Sequence, residues 1–218
     1  MALAIFDLDN TLIAGDSDHG WGEFLVENEL VDAKLFQEKN DYYYEQYQLG
    51  KLDILEYLEF SLQPLTQHPL ETLHSLRERF VAEKILPIIP QKSRDLLAKH
   101  KADGDYLLII TATNLFVTEL IAKELGVDDI IATDPEMIDG QYTGKVAGIP
   151  SFQHGKVKRL AAWLEQNQLS LAGSHFYSDS HNDLPLLEQV DFPVAVDADD
   201  TLLAHANHEN WPSISLRD

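Results

Sequence analysis

This sequence predicts an α/β fold: a parallel sheet covered by helices on both faces, with a helical segment inserted after the first strand. Three observations point there. Short, continuous apolar runs recur along the chain, the kind that fit strands buried on both faces. Stretches with helical periodicity separate most of them, which argues for parallel strands joined by right-handed crossovers. One long stretch, directly after the first run, holds no convincing strand at all.

In chain order, Ala2–Phe6 reads as a buried strand. From Trp21 to about Leu86 the chain is rich in Glu, Gln, Leu and Tyr at helical spacing and reads as a helical insertion over the sheet. Residues 1–14 and 87–218 are therefore expected to form the α/β core and residues 15–86 a helical cap. Tyr106–Ile110 reads as the second strand. Leu115–Leu125 reads as a helix closed by Gly126. Asp129–Thr133 is a further strand, and Met137–Val146 reads as a small hairpin turning at Asp139-Gly140. Val157–Gln168 and Asp183–Val190 are expected as helices, and Ser174–Ser178 and Phe192–Val196 as strands.

The composition narrows the function. The 218 residues carry a net charge of −21, which opposes binding to nucleic acid or to an anionic bilayer. Cysteine is absent, so disulfides, thiolate nucleophiles, zinc fingers and iron–sulfur clusters are excluded. Asp7 and Asp9 interrupt the only apolar stretch near the N-terminus, so no signal peptide is expected there. No stretch is long and apolar enough to span a bilayer. The expectation is a soluble, acidic, cytoplasmic protein; the sequence does not disclose its oligomeric state.

The chemistry gathers at strand ends. In Ile5-Phe-Asp7-Leu-Asp9-Asn-Thr11 a buried strand ends on two carboxylates, at the edge where open α/β sheets bind ligands. Close carboxylates repel unless a cation separates them or one holds a proton. That suggests a divalent metal, a nucleophile-and-acid pair, or both; the plainer alternative is an Asp-rich turn capping the next helix. Three later clusters are similarly placed. Thr111-Ala-Thr113-Asn114 ends a strand with good donors for phosphate oxygens. His154-Gly-Lys156-Val-Lys158-Arg159 opens a helix with cations, and Ser178-Asp179-Ser180-His-Asn182-Asp183 supplies two more carboxylates. Together they make a coherent phosphate-plus-Mg²⁺ site. Singly, each has an ordinary reading as a cap, a solvated helix face or a first-turn acid.

Asp7-Leu-Asp9-Asn-Thr11 resembles the DxDxT signature of the haloacid dehalogenase (HAD) superfamily, whose core is a Rossmann-like parallel sheet. Thr111, Lys156 and the Asp179/Asp183 pair resemble its second, third and fourth motifs, in the right order. The resemblance covers essentially the whole chain, and the insertion resembles the helical cap of the phosphoserine-phosphatase-like branch. Within that branch, Ala14-Gly15-Asp16-Ser17 and the later His205…Trp211-Pro212 are similar to bacterial histidinol-phosphatases. Two positions depart from the pattern. Ser178 stands where the fourth motif usually has Gly, and Lys158 competes with Lys156 as the third-motif lysine.

The resemblance implies roles. Asp7 would attack phosphorus to form an aspartyl-phosphate, and Asp9 would serve as general acid and then base. Mg²⁺ would be held by Asp7, the Asp9 carbonyl and Asp179. Asp183 and Asn182 would support the site from behind, and Thr111 and Lys156 would bind the phosphoryl oxygens. The substrate would be a small phosphorylated metabolite. The same dyad would also serve a phosphotransferase or mutase, and a non-catalytic receiver-like module is a reading of another class. Residues 15–85 carry fifteen acids against six bases. Asp16, Asp18, His19, Trp21 and Glu23 would suit an amine or imidazolium, Trp21 by stacking. This favours histidinol phosphate over phosphoserine. The tyrosines Tyr42, Tyr43, Tyr44 and Tyr47 are expected to form a helix packing face.

Overall fold

A computed structural model of the chain describes residues 2–217. Strand β1 (Leu3–Phe6) is wholly buried, with Leu3 and Ile5 in one apolar cluster and Ala4 and Phe6 in the other. A wide turn over residues 8–12 follows. Then come α1 (Ser17–Glu27), α2 (Ala33–Gln48), α3 (Ile54–Leu62) and α4 (Leu70–Phe80). Asp16, Asp32 and Asp53 cap the first three by accepting free backbone N–H groups of the first turn. Among the described residues this stretch contains no strand, as its composition predicts.

Helix α5 (Gln91–Asp103) leads into β2 (Tyr106–Asn114), α6 (Leu115–Leu125) and β3 (Asp129–Thr133). A hairpin of β4 (Pro135–Ile138) and β5 (Gln141–Val146) turns at Asp139 and Gly140, both at positive φ as a tight primed turn requires. The chain continues through α7 (His154–Asn167), β6 (His175–Ser178), α8 (Leu184–Leu187), β7 (Phe192–Val196), α9 (Asp200–Glu209) and β8 (Ser213–Ile214).

The main sheet has the order β3-β2-β1-β6-β7-β8, and every pairing in it is parallel. The chain winds outward from β1 through β2 and β3, then returns to β6 and winds the other way. The order therefore reverses between β1 and β6, and open parallel sheets bind ligands outside the carboxyl ends of the strands at that reversal. One apolar cluster joins the sheet to α5, α6 and the helices α1–α4; the other joins it to α7, α8 and α9.

Some boundaries differ from expectation. Strand β2 runs on to Asn114, because the β-branched Thr111 and Thr113 stay extended while the register with β3 shifts between Ile110 and Asn114. The helix expected over 183–190 is a 3₁₀ turn plus one short α-turn, with Pro185 in its first turn. Strand β8, too short to show a pattern, was not foreseen.

Candidate active site

Asp7 begins where β1 ends, and its N–H donates to the Tyr177 carbonyl of β6 at 2.9 Å. The chain then turns sharply because Asn10 takes a left-handed conformation (φ 54°) and donates its N–H to the Gly15 carbonyl at 2.8 Å. Asn tolerates that region better than most side chains do. The turn re-aims Asp9 away from Asp7, so the two carboxylates have different partners.

Asp7 faces the lysine. Lys156 Nζ, at the start of α7, donates to Asp7 Oδ1 at 2.7 Å and to Asp183 Oδ2 at 2.8 Å; all three side chains are buried. Lys158 is exposed, so of the two lysines it is Lys156 that reaches the carboxylates. Ser178, the departure from glycine in the fourth motif, donates its Oγ to Asp183 Oδ2 at 2.7 Å. A side chain there adds a bond that glycine lacks.

Asp9 faces donors only. Its Oδ1 accepts the Ser17 N–H at 2.6 Å, and its Oδ2 accepts Thr113 Oγ1 at 2.8 Å and Thr111 Oγ1 at 3.2 Å. Thr11 ties the first motif to the fourth: its hydroxyl donates to Asp179 Oδ1 at 3.1 Å and accepts the Asp179 N–H at 3.0 Å. Asn182 accepts from Gln153 Nε2 at 2.9 Å and donates to the Tyr47 carbonyl of α2 at 3.3 Å, linking the core to the helical segment.

Two buried carboxylates, Asp7 and Asp183, thus share one ammonium group, with Asp9 and Asp179 close enough to Asp7 to act on it or feel it electrostatically. Burial pushes Asp7 up to about 8; only Lys156 opposes the rise, and Asp183 and Asp9 add to it. Burial together with Asp7 and Asp183 also lifts Asp179 well above the carboxylate range. On Lys156, burial works against the charge, but Asp183 and Asp7 outweigh it and hold the ammonium above its usual value. No group of three or more His, Cys, Asp or Glu side chains stands as a metal cluster among the described residues. A hard cation would instead find two carboxylates, Asp7 and Asp179, and the Asp9 carbonyl. This donor set of oxygens with excess negative charge fits Mg²⁺.

Above the strand ends the helical segment encloses a cavity that Asp7 and Asp9 share with Asp16, Asp18, His19, Asn40 and the aromatic rings of Tyr43, Tyr44, Tyr47 and Tyr57. Among the described residues no lysine or arginine lines it. Asp16 caps α1, accepting the N–H groups of Asp18 and His19 at 2.9 Å. Burial and the nearby Asp9 raise it to about 7. Asp18 is likewise raised to about 7, chiefly by burial. His19 reaches Asp41 at 3.2 Å and leans on the Tyr44 ring.

Two expectations are corrected here. Trp21 does not face the cavity: it is 3% exposed and packs against Phe24, Phe80 and Phe116. A large apolar ring one turn along α1 from Ser17 and Asp18 lands on the core side of the helix. The tyrosines of α2 are more than a packing face, since Tyr43, Tyr44 and Tyr47 line the cavity while Tyr42 is exposed. Sequence reasoning gave Thr11 no role of its own, whereas Asp18, expected beside a cationic substrate, does line the cavity. The threonine of the Asp-x-Asp-x-Thr pattern was visible, but its partner across the sheet was not.

The haloacid dehalogenase-like hydrolase family model matches residues 4–188. The chain is 42% identical to a histidinol-phosphatase of Neisseria meningitidis serogroup C (strain 8013), with 99% of each chain covered. A solved structure of a Bordetella pertussis Tohama I protein of unknown function superposes with a TM-score of 0.93 at 41% identity, covering 99% of both chains. A substrate-bound phosphoserine phosphatase superposes with a TM-score of 0.72 at 18% identity, covering 99% of this chain and 93% of the other, and so shares the fold. With its motifs assembled at the sheet reversal and most of its length matched, the chain belongs to the haloacid dehalogenase-like hydrolases.

Proposed function

We propose that this protein is a Mg²⁺-dependent phosphatase that hydrolyses a small phosphate monoester through an aspartyl-phosphate on Asp7, with histidinol phosphate as the best substrate. The observation that carries the reading is the division of labour between the paired carboxylates on one cavity. Asp7 sits against Lys156, and Asp9 is held by donors alone.

Asp7 Oδ attacks phosphorus, and Asp9 gives its proton to the departing alcohol; Asp9 then takes a proton from the water that hydrolyses the acyl phosphate. Lys156 and Thr111 bind the phosphoryl oxygens, and Asp183 and Ser178 hold Lys156 in place. Bound by Asp7, Asp179 and the Asp9 carbonyl, Mg²⁺ would supply charge neutralisation on the transferring group.

The cavity supports a cationic substrate. Asp16, Asp18 and the tyrosine rings offer partners to an ammonium or imidazolium, whereas among the described residues no lysine or arginine lines the cavity to meet a substrate carboxylate. The 42% identical histidinol-phosphatase agrees with this preference. The test is phosphate release from histidinol phosphate, phosphoserine, sugar phosphates and nucleotides, with and without chelator. Histidinol phosphate should give the highest kcat/KM, and activity should vanish on chelation and return with Mg²⁺. A kcat/KM on phosphoserine that equals or exceeds it would overturn the substrate assignment, and full activity in chelator would overturn the metal site.

A further inference from the structure

Thr113 stands two residues beyond Thr111 on β2 and is equally sequestered from solvent. Its hydroxyl is the nearer of the two to Asp9 Oδ2, at 2.8 Å against 3.2 Å. The opposite oxygen, Oδ1, accepts the Ser17 N–H at 2.6 Å. Protonating Oδ1 would weaken that bond, and an amide N–H cannot turn to accept in compensation. The proton that Asp9 transfers therefore belongs on Oδ2, the oxygen that the two hydroxyls face.

A protonated Oδ2 turns its proton to the leaving alcohol and keeps acceptor capacity, so a hydroxyl beside it can go on donating. Thr111 is poorly suited to that task. Its Oγ1 already accepts the Thr113 N–H at 3.2 Å, and the phosphoryl oxygens call on its proton. Thr113 Oγ1 is hydrogen-bonded to Asp9 alone among the described residues, so its proton stays with Oδ2.

We propose that Thr113 is a positioning residue for the general acid and base, an inference that rests on the phosphatase reading above. Its hydroxyl donates to Oδ2, and when Oδ2 carries the proton bound for the leaving alcohol it still donates to the lone pair that Oδ2 keeps, so the same oxygen stays aimed at the reacting group in both half-reactions. In the first, the Oδ2–H bond breaks and the proton goes to the alcohol oxygen. That oxygen takes the electron pair of its bond to phosphorus while Asp7 forms the new one. In the second, a water O–H breaks and its proton returns to Oδ2. The water oxygen bonds to phosphorus, and the Asp7 oxygen leaves with the electron pair of the acyl phosphate bond.

The test is kcat/KM over a series of phosphate monoesters whose leaving groups run from alkyl alcohols to p-nitrophenol. This constant contains only the steps through departure of the leaving group. Alkyl leaving groups need the proton, and p-nitrophenol scarcely does. General acid catalysis is worth about 10²–10⁴-fold, so Thr113→Val should lower kcat/KM on alkyl phosphates by roughly 10–100-fold and on p-nitrophenyl phosphate far less. Thr113→Ser, which keeps the hydroxyl, should restore the wild-type dependence on leaving group. In an Asp9→Asn background, Thr113→Val should add no further loss, since its partner is gone. A loss of equal size across the series, or losses that simply add in the Asp9→Asn background, would overturn the proposal. Should Thr113→Val fail to fold by circular dichroism, Thr113→Ala is read against the same outcomes. A wild-type enzyme inactive on every ester would instead refute the phosphatase reading itself.

Discussion

Among the described residues Lys156 is the one cation within hydrogen-bonding reach of Asp7 and Asp183, and all three side chains are buried. Breaking a buried pair by removing one partner costs about 3–5 kcal/mol, because the remaining charge keeps its desolvation penalty. Lys156→Met keeps the stem and removes the charge. It should lower the urea-unfolding free energy by roughly 3 kcal/mol at pH 8 and by less at pH 5, where the freed carboxylates can take up protons. A loss independent of pH would mean that packing, not charge, holds Lys156 there. At this scale the sequence was informative where residue type dictates chemistry. Asp7, Asp9, Lys156, Asp179 and Asp183 all reach the carboxyl edge of the sheet. It misled at Trp21, where adjacency to Asp16 and His19 in the chain hid a turn of helix that sends the ring into the core.

Among elements, strands β1–β7 and helices α6 and α7 were readable because period and punctuation agree: Gly126 ends α6 at φ 69°, and Asp139-Gly140 turns the hairpin; α5 and α9 were not singled out. Strand β8 was not readable, since two residues, Ser213 and Ile214, carry no period. Yet β8 leads to a contact that matters to the first-motif turn. Arg217 donates to the carbonyls of Asn10, Thr11 and Ile13, the last two at 3.3 and 3.2 Å, in the turn that carries Asp9 and Thr11. Only a planar fork reaches several carbonyls at once, so lysine is no substitute. Arg217→Ala should speed hydrogen exchange at the Asn10 and Ile13 amides and cost about 1–3 kcal/mol for the unpaired carbonyls. Arg217→Lys should recover only part of either effect. Unchanged exchange at both amides would show that the turn holds itself.

For the whole molecule, the acids of the site set the pH dependence of stability. In the fold Asp7 is raised to about 8 and Asp16 and Asp18 to about 7, from ordinary values near 3.8. Between about pH 4 and 8 the folded chain therefore binds more protons than the unfolded chain, and stability falls as pH rises through that window. Each such group weakens folding by up to about 1.4 kcal/mol per pH unit inside its window. The net charge of −21 pushes the same way through self-repulsion, but salt screens that part and leaves the buried groups largely untouched. Asp199 runs opposite: burial would raise it, but the N–H groups of Leu202 and His181 and the His181 ring outweigh that and lower it. Its contribution is lost only as pH falls below the usual carboxylate range. Calorimetry in chelator and moderate salt should accordingly show a lower Tm at pH 8 than at pH 5.5. Replacing Asp16 and Asp18 together with Asn should flatten part of that slope. At the proposed metal site Mg²⁺ would require ionised Asp7 and Asp179, so it should raise Tm more at pH 8 than at pH 5.5. A metal-free Tm that stays level or rises over this range would show that the site's carboxylates ionise freely in the fold, and would remove the electrostatic case for a cation among them.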